Sequence, residues 1–246
     1  MSTGKEIVSR LAIQSWCFRE FKQTPQLIAA LRECGVNHIE LCGVHIDVNN
    51  PAPTLDAFKS AGITVSAFGV HGFGADEAQA RPAFEIARLA GFKTLSADFK
   101  DDAGLAVAEK MAAEYGKKLA LHNHGRHHQL GAPWAIEALL AKSSDRVGLC
   151  LDTAWMLDSG FDPVEIARKY QKRLYGLHIK DFIFDRAGNP EDVVVGTGNL
   201  KLKELAGFLK SIDFDGYVTL EYEGDANNPV PALKQCVECI HAAFAD

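Results

Sequence analysis

Leucine, isoleucine or tyrosine alternates with small or polar residues in four short segments: Leu119-Ala120-Leu121-His122-Asn123-His124, Leu149-Cys150-Leu151-Asp152, Leu177-His178-Ile179-Lys180-Asp181 and Leu220-Glu221-Tyr222-Glu223. Alternation with period two describes strands that are apolar on one face and polar on the other. Leu119, Leu121, Leu149, Leu151, Leu177, Ile179, Leu220 and Tyr222 share one phase. Ala120, His122, Cys150, Asp152, Gly176, His178, Lys180, Thr219, Glu221 and Glu223 share the other, and each segment ends in a metal-capable or titratable group.

Extended along the chain, the pattern predicts eight strands, over residues 11–16, 38–42, 64–71, 94–99, 118–124, 148–153, 174–182 and 217–223. Helical patterns fall between them at 25–34, 55–61, 81–90, 105–115, 133–141, 163–170, 201–211 and 230–244. Thr24-Pro25 and Asp162-Pro163 read as an N-cap followed by proline in the first turn, and Gly35, Gly62, Gly91 and Gly116 as left-handed helix ends. Eight strand-to-helix alternations favour a parallel sheet closed into a (β/α)8 TIM barrel, one α/β domain over residues 1–246. An open doubly wound sheet would carry a glycine-rich phosphate turn after its first strand, and Ser15-Trp16-Cys17-Phe18-Arg19 is not one. The longest connection, Asp185 to Leu200, either covers a site or is a surface excursion.

In a barrel of this kind chemistry sits at the carboxyl ends of the strands. The polar phase then rings one mouth with Glu40, His71, Asp98, His122, His124, Asp152, His178, Lys180, Glu221 and Glu223; strand three fits the alternation least cleanly, so His71 is placed inward by extension. Several carboxylates packed without a counter-charge repel one another, and a divalent metal ion resolves the conflict. The best ligand set is His122, Asp152, His178 and Glu221, one from each of strands five to eight, with His124 as the alternative donor from strand five. Mixed imidazole and carboxylate ligation suits Mn2+ first, with Co2+, Zn2+, Fe2+ and Mg2+ as alternatives, and disfavours Ca2+.

Composition narrows the partners. With 246 residues, 47% hydrophobic, 24% charged and a formal net charge of −6, the chain reads as a globular protein without the positive field that binds nucleic acid. The N-terminal residues hold no apolar stretch long enough for a signal peptide, and no run approaches the roughly 18 residues of a membrane span. The expectation is a cytoplasmic protein, free of membrane, with homo-oligomerisation allowed. Its six cysteines need no disulfide framework in a chain this long.

Trp16, Phe18, Phe73, Trp155 and Phe182 fall at strand ends, where aromatic faces either cover a sugar ring or pack loops. Lys180 either has a functional role or forms a plain ion pair with its neighbour Asp181. Cys236-x-x-Cys239 reads as helix packing, and His127-His128 as a solvated loop pair without a partner.

At Leu121-His122-Asn123-His124-Gly125, Leu151-Asp152-Thr153, Leu177-His178-Ile179-Lys180-Asp181, Gly196-Thr197-Gly198 and Leu220-Glu221-Tyr222-Glu223 the chain resembles the xylose isomerase-like TIM barrel superfamily. That superfamily includes sugar isomerases and epimerases, inosose and dehydroshikimate dehydratases, 3-keto-glycoside lyases and endonuclease IV. The resemblance implies a metal held by Glu, Asp, His and Glu from strands five to eight, positions matched here by His122, Asp152, His178 and Glu221. Histidine at the first of these departs from the pattern that the two-glutamate proton transfer of the epimerases requires. Trp155 and Asp192-x-Val194 stand where an endonuclease would carry further metal-binding histidines, which argues against DNA repair.

The resulting expectation is a single-metal enzyme acting on a small carbohydrate or cyclitol through proton abstraction beside a carbonyl. Glu221 is the first choice of base, and Glu40, His122, Lys180 or His71 the opposing acid; Trp16, His124, Trp155 and Glu223 would contact substrate. Isomerase or epimerase ranks first, by analogy, and lyase or dehydratase is the alternative. An amidohydrolase-type hydrolase would place its His-x-His on strand one rather than strand five. A non-catalytic sugar-binding protein would keep its ligand affinity without metal.

Overall fold

A computed structural model describes residues 4–245; Met1–Thr3, part of the N-terminal stretch read above, lie outside the described residues. The strands are β1 (Leu11–Gln14), β2 (His38–Leu41), β3 (Thr64–Phe68), β4 (His71–Phe73), β5 (Thr94–Phe99), β6 (Lys118–His122), β7 (Val147–Asp152), β8 (Leu174–Ile179), β9 (Asp181–Phe184), β10 (Pro190–Val193) and β11 (Tyr217–Leu220). The helices are α1 (Gly4–Val8), α2 (Thr24–Glu33), α3 (Ala52–Ser60), α4 (Glu77–Ala90), α5 (Asp102–Tyr115), α6 (Pro133–Ala141), α7 (Thr153–Asp158), α8 (Pro163–Lys169), α9 (Leu202–Ser211) and α10 (Val230–Ala245).

Nine strands pair in parallel in the order β3-β2-β1-β11-β8-β7-β6-β5-β4. The first and last members of that order are consecutive in the chain. Together they make the third stave, so the sheet wraps into a nearly closed TIM barrel with the helices outside.

The two phases of the alternation become two packing layers. Leu119, Leu121, Leu149, Leu151, Leu177, Ile179 and Leu220 are fully buried in the core between barrel and helices, each worth about 1.5–3 kcal/mol of transfer free energy. Ala67, Ala120, Cys150 and Tyr217 form a separate small cluster inside the barrel. Gly176 is what lets Tyr217 fill that interior, because a Cβ there would lie 2.2 Å from the phenol ring. Tyr217 therefore forms a floor, and the polar residues above it face the carboxyl mouth.

Helix punctuation follows the sequence at most boundaries. Asp162 caps α8 by accepting from the Val164 amide at 2.8 Å, and Gly35, Gly62, Gly91 and Gly116 all adopt positive φ. Thr24 is not a cap but lies within α2; Gln26 folds back to accept from the Gln23 amide at 3.0 Å and closes that end.

Four departures bear on the site. The first strand ends at Gln14 and passes into a single 3-10 turn, Ser15–Phe18. The third stave is interrupted at Gly69-Val70, where Gly69 passes so close to Ser96 that a Cβ would meet its carbonyl oxygen at 2.2 Å. The long connection after β8 is a built hairpin in which β9 pairs antiparallel with β10. Finally, β7 runs directly into the short helix α7, capped by Asp152 itself.

Candidate metal centre

The register explains why four donors meet. Thr219 lies beside His178 across β11 and β8, and His178 beside Asp152 across β8 and β7. Cys150, one pleat below Asp152, lies beside His122. Staves of one phase thus bring the side chains of His122, Asp152, His178 and Glu221 together, each buried, with one donor atom from each within 4.8 Å of all the others.

Their hydrogen bonding points inward. Asp152 Oδ1 accepts from the Trp155 amide at 2.8 Å as the α7 cap, while Oδ2 is buried and has no hydrogen-bond partner among the described residues. Neither ring nitrogen of His122 is hydrogen-bonded among the described residues, and Nε2 stands 3.6 Å from Asp152 Oδ2. His178 Nδ1 lies 2.7 Å from Glu221 Oε2, yet is not directed along a hydrogen bond. Desolvated donors left bare cost about 1–3 kcal/mol each, and a shared cation satisfies all of them at once. Two imidazoles and two carboxylates form a donor set suited to a first-row divalent ion.

His178 is fixed from behind. Its Nε2 lies 2.9 Å from Glu40 Oε2, which also accepts from Thr219 Oγ1 at 2.8 Å. An acceptor oxygen there places the imidazole proton on Nε2 and turns the Nδ1 lone pair to the centre. Burial opposes charge on His178, but Cys150, Glu40 and Glu221 together push its pKa well above the ordinary value. For Glu221, burial favours the neutral form, and Lys180, His178 and His122 outweigh it to hold the carboxyl below the usual carboxylate range. Both directions are those of a site that gathers positive charge.

Adjacent strand ends are tied by side chains that the alternation alone does not single out. Asn123 Oδ1 accepts from the Asp152 amide at 2.8 Å and its Nδ2 donates to the Asp152 carbonyl at 3.0 Å. Thr153 Oγ1 donates to the Lys180 carbonyl at 2.6 Å and accepts from the Lys180 amide at 2.9 Å. These clasps fix β6 to β7 and β7 to β8 at the level of the donors.

Above the centre, Trp16, His122, His124, Trp155, Glu221 and Glu223 line one cavity of about 440 Å³. Lys180 is fully buried beside it, in contact with Glu223 and 3.8 Å from Asp192 Oδ2, its ammonium 5.1 Å from the centre of the Trp155 ring. Burial would lower the Lys180 pKa; Glu221, Asp152, Asp192 and Glu223 reverse that and raise it. Trp16 Nε1 donates to Glu223 Oε2 at 2.8 Å, which ties the first stave to the eighth. Burial, followed by the neighbouring His122 and His128, pushes His124 down to about 3. A larger hollow of about 610 Å³ opens at the amino mouth, but the Arg10 guanidinium there is spent on the carbonyls of Phe214, Asp215 and Gly216.

Several expectations need correction. His71 does not face the cavity: β4 sets it beside Ala97 of the outer core, and its ring packs on Phe68 and Phe73. The break at Gly69-Val70 adds a residue, which flips every later side chain to the opposite face. Glu40 lies beneath His178, fully buried, and does not reach the cavity. Asp181 does not pair with Lys180; it turns away to accept from the Gly196, Gly198 and Leu200 amides at 2.9, 2.9 and 2.8 Å, anchoring the long connection. Phe18, Phe73 and Phe182 are buried, leaving Trp16 and Trp155 as the aromatic walls. His128 is not a solvated residue without neighbours, since its ring stacks 4.1 Å from that of His124. Asp192, on β10, approaches Lys180 and accepts from the Glu223 amide at 3.2 Å, a role no periodic signal announces.

The Rhizobium meliloti rhizopine catabolism protein MocC is 29% identical over 139 residues, which cover 51% of this chain and 42% of that protein. An inosose dehydratase of Lacticaseibacillus casei is 28% identical over 138 residues, covering 50% of this chain and 46% of the dehydratase. The chain spans less than half the length of these curated relatives. Among solved structures, that of the IolI protein with a bound zinc atom superimposes with a TM-score of 0.72 at 17% identity, over 96% of this chain and 98% of that one. The family model described as xylose isomerase-like TIM barrel matches residues 103–242, more than half of the sequence and the part that carries all four converging donors. The chain belongs to the xylose isomerase-like TIM barrel family.

Proposed function

We propose that this protein is a divalent-metal-dependent enzyme that removes a proton beside the carbonyl of a small polyhydroxylated ketone, a keto-cyclitol or keto-sugar. The reading is carried by the four buried donors of His122, Asp152, His178 and Glu221 at the base of a cavity walled by Trp16 and Trp155. When bound, the ion would polarise a carbonyl and its neighbouring hydroxyl and acidify the adjacent C–H.

The chain's own groups divide the remaining work. Glu221, ionised and at the cavity wall, is the base that takes the proton. Lys180 keeps its proton and supplies fixed positive charge where the enediolate oxygen develops. Glu223, held by Trp16 and in contact with Lys180, presents carboxylate oxygen to substrate hydroxyls. Glu40 acts as a positioning residue through His178 rather than as an acid.

Of the outcomes open to an enediolate, elimination is favoured by histidine at position 122. A symmetric epimerisation needs a carboxylate on each face of the substrate, whereas elimination and isomerisation need one base on one face. Similarity to inosose dehydratases supports elimination of water. Isomerisation is the second reading, because Glu221 can return the proton to the neighbouring carbon from the same face. The expected cofactor is one ion at this centre, Mn2+ first and Zn2+ among the alternatives, the latter matching the zinc in the IolI structure.

The test is NMR of the metal-loaded protein with inososes, ketoses and 3-keto-glycosides in D2O. Deuterium beside the carbonyl, with loss of water or migration of the carbonyl, supports the reading. No exchange with any member of the three classes overturns it.

A further inference from the structure

Beside the first centre lies a second convergence that neither the base, the charge nor the substrate walls explain. Asp98, at the end of β5, His124, just beyond β6, and His128, in the loop before α6, each place one donor atom within 4.8 Å of the other two. Asp98 Oδ2 is 3.8 Å from His124 Nε2 and 3.9 Å from His128 Nε2. These separations are too long for hydrogen bonds and suit donors grouped around an ion. His124 Nε2 is buried and has no hydrogen-bond partner among the described residues. Asp98 Oδ1 accepts from the Phe99 amide at 2.8 Å, which leaves Oδ2 for the cluster.

The loop that brings His128 in is built rather than loose. Arg126 makes a two-pronged contact with Asp158 Oδ1 at 2.9 and 2.6 Å, and its amide donates to Asp158 Oδ2 at 2.8 Å. The His128 amide donates to the Gly125 carbonyl at 2.9 Å and the Gly131 amide to the His128 carbonyl at 3.0 Å. This frame faces the ring of His128 toward His124, whose own ring lies 4.8 Å from that of His122.

We propose that Asp98, His124 and His128 form a second divalent-cation site at the rim of the cavity, separate from the four-donor centre. Two imidazoles and one carboxylate favour a borderline transition ion such as Zn2+, Co2+ or Fe2+ over Mg2+, and three protein donors leave positions open to water or a substrate oxygen. The Leu130 amide lies 3.2 Å from His128 Nδ1, a contact that keeps the ring proton on Nε2. A cation at Nε2 has to shift that proton and open the contact. The second site is therefore weaker than the first and fills later.

Chelator-stripped protein titrated with Co2+, followed by visible absorption and by equilibrium dialysis, tests this. The wild type takes up a first and then a weaker second equivalent, while Mg2+ does not compete for the second. Asp98→Asn and His128→Gln each abolish the second equivalent and leave the first; the exposed neighbour change His127→Ala leaves both. Asp152→Asn removes the first and spares the second, so failure here is distinguishable from failure of the proposed catalytic centre. A single equivalent unchanged in Asp98→Asn and His128→Gln, with near-ultraviolet dichroism confirming that both fold, overturns the second site.

Discussion

The two halves of the barrel are built on the same plan but differ in regularity. In β6, β7, β8 and β11 the staves are regular over their carboxyl ends, the register shift of β7 against β8 between Leu149 and Cys150 falling below the donors, and the polar phase brings His122, Asp152, His178 and Glu221 together. In β1 to β5 the register slips between Ile39 and Glu40, the third stave breaks at Gly69-Val70, and a 3-10 turn cuts the first short. That half contributes walls and supports, Trp16 and Glu40, rather than donors to the centre. A metal centre needs donor positions held to fractions of an ångström, and parallel pairing that is regular at the carboxyl ends supplies that precision where a stave broken near its end does not.

The largest effect is expected in the regular half. Asp152→Asn retains a side chain that caps α7 as well as aspartate does, so the fold should persist while an anionic donor is lost. Metal affinity should fall by more than the roughly 10–100-fold typical of outer partners, and turnover with it. Calorimetric metal titration alongside a thermal melt measures both. Full metal retention by the variant would break the contrast between the halves.

Glu40→Gln probes the support from the irregular half. The amide no longer holds the proton on His178 Nε2 as an anion does, and the expected cost is about 10–100-fold in metal affinity. Turnover at saturating metal should recover most of its value, which a residue acting directly as the acid would not allow.

A smaller effect lies on the hairpin that edges the mouth. Burial pushes Asp192 up from its ordinary 3.8 to about 7, against the opposing pull of Lys180. A carboxyl whose pKa is higher folded than unfolded keeps its proton in the native state after the unfolded chain has released it. Its contribution to stability is complete below 3.8 and is lost as pH rises to about 7. Asp192→Asn in metal-free protein should therefore flatten the decline across that window, by up to about 4 kcal/mol. Denaturant titrations at several pH values measure the difference, and parallel curves for the two proteins would refute it.

What the sequence made legible follows the same division. Period-two alternation fixes which face a residue takes only while a strand stays continuous, which is why His122, Asp152, His178 and Glu221 were readable and His71 was not. Asn123 and Thr153 stand beside donors in sequence, yet their clasps depend on the neighbouring stave's register, which one strand's pattern does not contain. Asp192 and His128 reach the mouth from a hairpin and a loop, where backbone turns decide the meeting and no periodicity records it. The barrel itself was legible because eight repeats of strand and helix each obey the same rule, so an error in one stave leaves the closure intact.

The smallest effect is expected from His71, and it sharpens the comparison because an inward reading of the broken stave would make it one of the largest. Its ring lies 4.7 Å from Phe73 and 5.7 Å from Phe68, on the side of the helices, with the barrel wall between it and the four donors. Burial, with Lys100 nearby, lowers its pKa, so it packs as a neutral ring. His71→Gln trims that packing without disturbing the centre. Metal affinity and the maximal rate should stay within about 2-fold of the wild type, the scale of a change near 0.5 kcal/mol. A loss of turnover by orders of magnitude in a variant that melts normally would return His71 to the cavity and show that the third stave keeps its phase through Gly69-Val70.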